Sequence, residues 1–202
     1  MTELSTVQQL RDLYGPPRER AVQKELHRLD VHALSFIGLS PLLVVASSGR
    51  DGGLDASPRG GEPGFVKALD AGTLLIPDSP GNNRLDTLEN ILHTGEIGLL
   101  FLVPGMDETL RVNGTATLSV RDADLTLCTQ ARRRPMLVIR MTVCAAYLHC
   151  AKALMRSALW DGSRHVDRSV MPSMGQMLKD QIGGNTVLET QEQMLARYAQ
   201  EL

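Results

Sequence analysis

The sequence predicts a mainly β, α+β chain built on a small six-stranded antiparallel barrel with helices at its edges. Three observations carry this. Six short apolar runs recur at hairpin spacing between Leu42 and Leu148. Only one well-defined helical pattern interrupts them, which argues against a doubly wound parallel sheet, because that architecture needs a crossover between most strands. The stretch Leu110 to Leu118 alternates cleanly, with Leu110, Val112, Gly114, Ala116 and Leu118 on one face and Arg111, Asn113, Thr115 and Thr117 on the other. That is the period-two signature of a strand with one buried face.

Taken in order, residues 1–39 read as an N-terminal helical layer. A helical pattern over 5–29 has Ser5 as its N-cap and is broken at Gly15-Pro16-Pro17. Pro17 suits the first turn of a second helix, which carries Val22, Leu26 and Leu29 at helical spacing. Ala33 to Leu39 adds another turn. From Pro41 the pattern changes: Leu42 to Ala46 is a buried-strand run, Ser48 to Gly53 a turn, and Leu54 to Pro58 the returning strand, ending in Arg59-Gly60-Gly61. Thr73 to Ile76 is a third strand. Leu85, Leu88 and Ile91 mark the apolar stripe of the intervening helix. Ile97 to Val103 is a fourth strand, turned by Pro104-Gly105, and Leu137 to Leu148 a sixth, long enough to bend or to cross between two sheets. Beyond Trp160 the chain becomes polar and rich in Met, Ser and Gly, with two short helices predicted, 174–182 and 187–198. The whole reads as one domain, 1–202, with a barrel core over 40–160 and a C-terminal helical arm over 161–202 that suits packing on a partner subunit.

Composition bounds the function. With 202 residues, 43% apolar, 22% charged and a net charge of −2, the chain fits an ordinary soluble domain and not a nucleic-acid binder held by phosphate contacts. The basic run Arg132-Arg133-Arg134 is short and reads as a solvated loop. No apolar run reaches the roughly 18 residues of a membrane helix, and the polar start lacks the apolar core of a signal peptide. Cys128, Cys144 and Cys150 form neither a CxxC pair nor an even set, so a reducing, cytoplasmic setting is expected. Aromatic residues are only 3%, which argues against stacking between rings as the main mode of ligand recognition.

Three stretches carry candidate chemistry. In Ile76 to Asp86 a strand stops at Pro77, a tight turn follows, and a helix opens with Asn82 or Asn83 as its cap. Arg84 then sits at the positive end of the helix dipole, at a cost of a few tenths to about 1 kcal/mol. An anion held there would reverse that cost. In Leu148 to Trp160, Lys152 and Arg156 lie four apart on one helical face, where like charges repel by roughly 0.2–0.5 kcal/mol unless an anion is shared. The stretch Asp55 to Gly61 offers a hydroxyl, a guanidinium and approachable backbone N–H groups. Singly these are a capped helix with a solvated arginine, an exposed charged face and an ordinary loop. Together they place four cations near chain turns in a slightly acidic protein, which points to a phosphate group. The five histidines are scattered without metal-ligand spacing, and GxSxG, GxxxxGK[ST] and GxGxxG are absent. An enzyme of this kind would leave its chemistry to a cofactor.

Ser-Pro-Arg-Gly-Gly (57–61), Pro-Gly-Phe-Val (63–66), Ile-Pro-Asp-Ser-Pro-Gly-Asn-Asn-Arg (76–84), Thr-Leu-Arg-Val-Asn-Gly (109–114) and His-Cys-Ala-Lys-Ala-Leu-Met-Arg-Ser-Ala-Leu-Trp (149–160) resemble, in this order, the FMN-binding split-barrel proteins related to pyridoxamine 5′-phosphate oxidase. The resemblance runs from about residue 25 to 165. It implies a six-stranded antiparallel split β-barrel and a homodimer with FMN in two interface clefts. By position, Ser57 and Arg59 match the strand end that meets flavin and phosphate, Asp78 flanks the ring, and Asn83 and Arg84 match the phosphate-binding pair. Thr109 stands where the oxidase uses a glutamine. Asn82, Arg111, Lys152, Arg156 and Trp160 complete the expected cofactor-binding set, the last three from charge and position in a segment typical of an uncharacterised branch. Asn83 departs from the second basic residue of the oxidase, which makes Arg59 the other phosphate cation. The oxidase's C-terminal substrate segment has no counterpart in 161–202, so the resemblance implies FMN but not oxidation of pyridoxamine phosphate. The expected function is an FMN-dependent oxidoreductase acting on a small substrate. The rivals are a non-catalytic flavin storage or sensing protein and a pyridoxal-phosphate or deazaflavin binder on the same barrel.

Overall fold

The hairpin expected over 42–58 forms as β1 (Leu42–Ser48) and β2 (Leu54–Gly60), antiparallel and in register from Leu42 opposite Gly60 to Ser48 opposite Leu54. In the computed structural model, which describes residues 3–79, 81–130, 133–183 and 189–201, the remaining strands are β3 (Lys67–Asp70), β4 (Thr73–Pro77), β5 (Glu96–Leu102), β6 (Thr109–Ser119) and β7 (Val138–His149). All neighbours are antiparallel, in the order β2-β1-β5-β6-β7-β4-β3. The expected six strands are thus seven, in a sheet that is not closed. The extra one, β3, is four residues long, mostly exposed, and paired only with β4 through a bulge. An edge strand this short has too few apolar positions to announce itself by periodicity.

The chain divides into two compact units, 1–156 and 157–202. In the first, the inward faces of the strands build one core with Leu43, Val45, Leu74, Ile76, Leu99, Phe101, Leu110, Val112, Ile139 and Met141 at its centre. Each such side chain contributes about 1.5–3 kcal/mol through burial. The alternation along β6 holds, Leu110, Val112 and Ala116 being buried, with a bulge between Asn113 and Gly114. Gly114 is demanded by space: a Cβ there would lie 1.9 Å from the carbonyl oxygen of Thr142 on β7.

The N-terminal helical layer is shorter than predicted. It comprises α1 (Val7–Tyr14), α2 (Glu19–Gln23) and α3 (Val31–Leu39). Thr6, not Ser5, caps α1, in a reciprocal pair with Gln9. The second predicted helix stops at Gln23 because Leu26 pairs its backbone with Ala146 of β7 instead. Asp30 caps α3, which buries Ala33, Phe36 and Ile37. The predicted intervening helix is α4 (Asp86–Thr94), with Leu88 and Ile91 buried, and Gly95 closes it in the left-handed region at φ 70°. Leu85 stays half exposed at the helix start. A helix not foreseen, α5 (Asp122–Leu127), is tied to the sheet by the buried Asp124. Its carboxylate accepts from Ser119 (2.6 Å), Arg121 (3.0 Å) and Arg140 (3.3 Å). The Ser119 hydrogen bond, ahead of its arginine partners, holds this carboxyl below the usual range against the cost of burial. Helix α6 (Lys152–Ser157) follows β7.

The second unit contains two single 3-10 turns, each capped by an aspartate (Asp161, Asp167), then α7 (Met174–Ile182) and α8 (Gln191–Glu201). The first predicted helix of this region is matched. Of the second, Val187 and Leu188 lie outside the described residues, as do Arg132 of the basic run and Pro80. No described helix is long and apolar enough to cross a membrane.

Candidate functional site

Side chains alternate along a strand, so Asp55, Ser57 and Arg59 share one face of β2, and all three are half-buried there. The curl of the open sheet brings this edge close to the segment after β4. Arg59 Nη2 lies 3.6 Å from Asp78 Oδ1, with both side chains about one-fifth exposed. Asp78 itself is anchored by its backbone N–H, which donates to the Leu137 carbonyl at 3.1 Å. The Arg59 Nε–H is buried and finds no acceptor among the described residues. A buried donor without a partner costs about 1–3 kcal/mol, more when charged, and marks a place for an acceptor.

The turn into α4 differs from the expected capped helix. Asn82 Oδ1 accepts from the Arg84 N–H at 3.1 Å, an Asx turn that removes this side chain from capping duty. Asn83 and Leu85 adopt left-handed backbone, at φ 58° and 61°; for leucine this costs roughly 1–2 kcal/mol. Leu85 becomes the N-cap and has no side-chain acceptor to offer. Arg84 lies outside the first turn and is paired with Asp86, whose Oδ2 accepts from its Nε at 2.5 Å. The dipole cost inferred for Arg84 is therefore offset locally by Asp86. The helix end itself is left without a side-chain cap.

These parts surround a cavity of about 570 Å3, with Ser57, Arg59, Asp78, Asn82, Asn83 and Arg84 in its wall, together with Leu85 to Leu88 of the helix start and Met136-Leu137. That volume is within the ordinary range of small-molecule sites. Two arginines and a helix N-terminus without a side-chain cap border it, which is the chemistry of an anion site. A phosphate-bearing group fits these residues. Asp78 brings the opposite tendency: burial, opposed by the Arg59 charge, raises its carboxyl above the usual value.

That shift sets a sign. A carboxyl whose pKa is raised on folding adds stability below the unfolded value of about 3.9, and this is lost as pH rises through the folded value. Asp78→Asn is expected to melt at a higher temperature than wild type at pH 7 and at the same temperature near pH 3. A lower melting point at pH 7 would mean that the Arg59 pair outweighs desolvation.

The other predicted residues lie elsewhere. The cavity touches Leu137, just before β7, whereas Thr109 is paired with His149 at the opposite end of that strand. Arg111 donates to Tyr147 Oη at 3.0 Å and stands 5.6 Å from the centre of its ring, with Lys24 Nζ 5.4 Å from the same centre. The His149 ring lies 5.1 Å from that of Tyr147, and its Nε2 is buried without a partner among the described residues. Burial, then Arg111 and Lys24, lowers the pKa of His149. Lys152 and Arg156 are both exposed on α6, also beyond that end of β7. Trp160 belongs to the second unit. Within the first unit, then, the predicted residues divide: six line one cavity, and Thr109, Arg111, Lys152 and Arg156 are not in its wall.

Two residues of consequence went unread in the sequence. Ser57 donates to both oxygens of Asp55, at 2.9 and 3.1 Å, and the buried Thr87 donates to the same carboxylate. Asp55 was within reach of a strand-periodicity argument, being two residues from Ser57. Thr87 was not, since it meets β2 only through the packing of α4.

An open, seven-stranded antiparallel sheet with helices at its edges, and a cavity bordered by two arginines beside its β2 edge, defines the class of fold. The matching family model is that of pyridoxamine 5′-phosphate oxidase, over residues 29–150, more than half of the chain. The chain belongs to that family. Among solved structures, HupZ of Group A Streptococcus is similar with TM-score 0.50 and 18% identity, over 59% of this chain and 93% of its own, and a variant of the same protein matches equally well. An FMN-binding protein of Syntrophomonas wolfei gives TM-score 0.46 at 8% identity, over 72% and 98%. At such identities the likeness concerns the fold alone. No curated protein matches the chain.

Proposed function

We propose that the chain binds FMN in the cavity between β2 and the start of α4, and serves as an FMN-dependent oxidoreductase acting on a small substrate. What supports this is one cavity wall that brings together Arg59, whose Nε–H has no acceptor among the described residues, Arg84 and a helix start without a side-chain cap, in a chain of this family. When bound, the flavin supplies the electron-transfer chemistry. Arg59, Arg84 and the first N–H groups of α4 neutralise the phosphate. Asn82 and Asn83 offer amides to the same end, and Asp78 holds a proton to higher pH than an ordinary aspartate at the side where the ring would lie.

Thr109, Arg111, Lys152 and Arg156 are distant from this cavity within one chain. The proposal assigns them, and Trp160, to the cavity of a second copy, so that a homodimer builds each site from both chains. The rival reading is a flavin storage or sensing protein. It is favoured by one observation: among the described residues the cavity wall has no His, Cys, Lys or Tyr, so a general acid or base beyond its aspartates is missing.

The purified protein is expected to be yellow, to release FMN on heating and to scatter light as a dimer. Bleaching of the flavin absorbance by NAD(P)H or another donor, restored by air, supports the oxidoreductase. A yellow protein inert to every donor supports storage or sensing. A colourless protein that does not take up added FMN overturns the cofactor assignment, and a monomer overturns the shared site.

A further inference from the structure

Two cations meet at Tyr147 with no acid between them. Arg111, its register partner on β6, donates from Nη1 to Tyr147 Oη at 3.0 Å, and its guanidinium stands 5.6 Å from the ring centre. Lys24 comes from the end of α2. Its Nζ lies 5.4 Å from the same centre and donates to the Leu148 carbonyl at 2.6 Å. Arg28, Arg59, Arg84, Arg121, Arg134 and Arg140 each pair with an aspartate. Among the described residues neither Lys24 nor Arg111 has a carboxylate partner. Both side chains are exposed, where a cation beside a ring gains about 0.5–1 kcal/mol, and two like charges at one ring oppose that gain.

The hydrogen bonds are as one-sided as the charge. Tyr147 Oη accepts from Arg111, and its own proton has no acceptor among the described residues. A guanidinium carries five N–H groups and an ammonium three, so both cations keep donors beyond those already used. The phenol proton and the guanidinium edge are side by side, since Oη and Nη1 are in contact. One oxyanion can accept from both at once, with Lys24 adding a second positive charge. His149 packs behind, its ring 5.1 Å from that of Tyr147 and its Nε2 buried. Burial, then Arg111 and Lys24, lowers its pKa, so the ring is neutral at pH 7. It does not hold the ligand but feels its charge.

We infer that Arg111, Tyr147 and Lys24 form a binding site for the carboxylate or phosphate group of a small molecule, separate within one chain from the cavity between β2 and α4. The three side chains meet without a second copy, so the inference does not rest on the flavin reading. Where a homodimer shares its sites, it adds a substrate class to that reading: a small molecule bearing an acid group.

Succinate and inorganic phosphate, each at constant ionic strength made up with sodium chloride, are titrated into the full-length protein while the His149 ring protons are followed by NMR across pH. His149 stands at the opposite end of β7 from Leu137 and so does not report an anion held at Arg59. Arg111 and Lys24 are the charged groups acting on it, and Tyr147 is the titratable ring packed against it. A bound anion offsets their positive charge, so the His149 pKa is expected to rise by roughly one pH unit. By reciprocity the anion binds about tenfold more tightly below that titration than above it. The larger rise names the group, succinate for a carboxylate and phosphate for a phosphate ester. Tyr147→Phe keeps the ring but removes the phenol proton, and should weaken the better anion about tenfold, as expected for one hydrogen bond to a charged group. A tyrosine that only packs would leave the affinity unchanged. Arg111→Met should raise the His149 pKa by itself and abolish the further rise. A pKa that follows ionic strength alone, or an affinity indifferent to Tyr147→Phe, overturns the inference. An anion response in a protein that does not take up FMN sinks the flavin reading and keeps this one, and FMN uptake with no anion response does the reverse.

Discussion

Arg59→Ala is expected to weaken FMN by about 10- to 100-fold and riboflavin by less than about threefold, the two ligands differing only in the phosphate. The range follows from the roughly 1.5–3 kcal/mol carried by a hydrogen bond to a charged group. Arg59 qualifies because its Nε–H is buried without an acceptor among the described residues and its guanidinium is held in the cavity wall by the 3.6 Å pair with Asp78. Little of its affinity would be spent on ordering the side chain. Arg84→Ala should act in the same direction but less strongly, by about tenfold, since this side chain is 77% exposed and already occupied by Asp86. Fluorescence titration of both flavins reads the difference. Equal losses for FMN and riboflavin would remove these arginines from phosphate binding and place their effect in the shape of the cavity.

Gly114→Ala is expected to cost about 3 kcal/mol or more in urea unfolding, or to prevent folding. The added carbon would lie 1.9 Å from the Thr142 carbonyl oxygen and 3.0 Å from the Thr142 carbonyl carbon. The obstacle is backbone in the central β6–β7 pairing, not a side chain that can swing aside, so the two strands must part. Gly60→Ala provides the control. Its Cβ would meet nothing closer than the Pro41 carbonyl oxygen at 3.5 Å, and a change within about 1 kcal/mol is expected even though it borders the cavity. Similar losses at both glycines would show that the bulge between Asn113 and Gly114 relaxes easily.

Much of the antiparallel sheet was legible because its evidence is local. The alternation of Leu110, Val112 and Ala116 against Arg111 and Thr115 fixes which face of β6 is buried, and the turn between Ser48 and Gly53 fixes the first hairpin. The stretches at 57–61 and 76–84 could be picked out as candidates for an anion site for the same reason: cations beside chain turns need only neighbours in sequence, and the structure places both in one cavity wall. What failed had one local and one distant cause. β3 is too short to show a period, and Leu26 left its helix for a backbone pair with Ala146, a competitor 120 residues away.

By itself, then, the sequence determined an antiparallel β architecture with an intervening helix, and offered Arg59 and Arg84 as candidate partners for an anion. Only the tertiary structure decided which residues share a cavity. It joined Arg59 to Asp78 across the curl of the sheet, and left α4 uncapped by spending Asn82 on the Arg84 N–H. It also set Thr109 and Arg111 at the far end of β7 and bound Ser57 and Thr87 to one carboxylate. The physical reason is that periodicity reports which way a side chain faces, whereas the direction of a hydroxyl proton or the absence of an acceptor depends on groups brought together from distant parts of the chain.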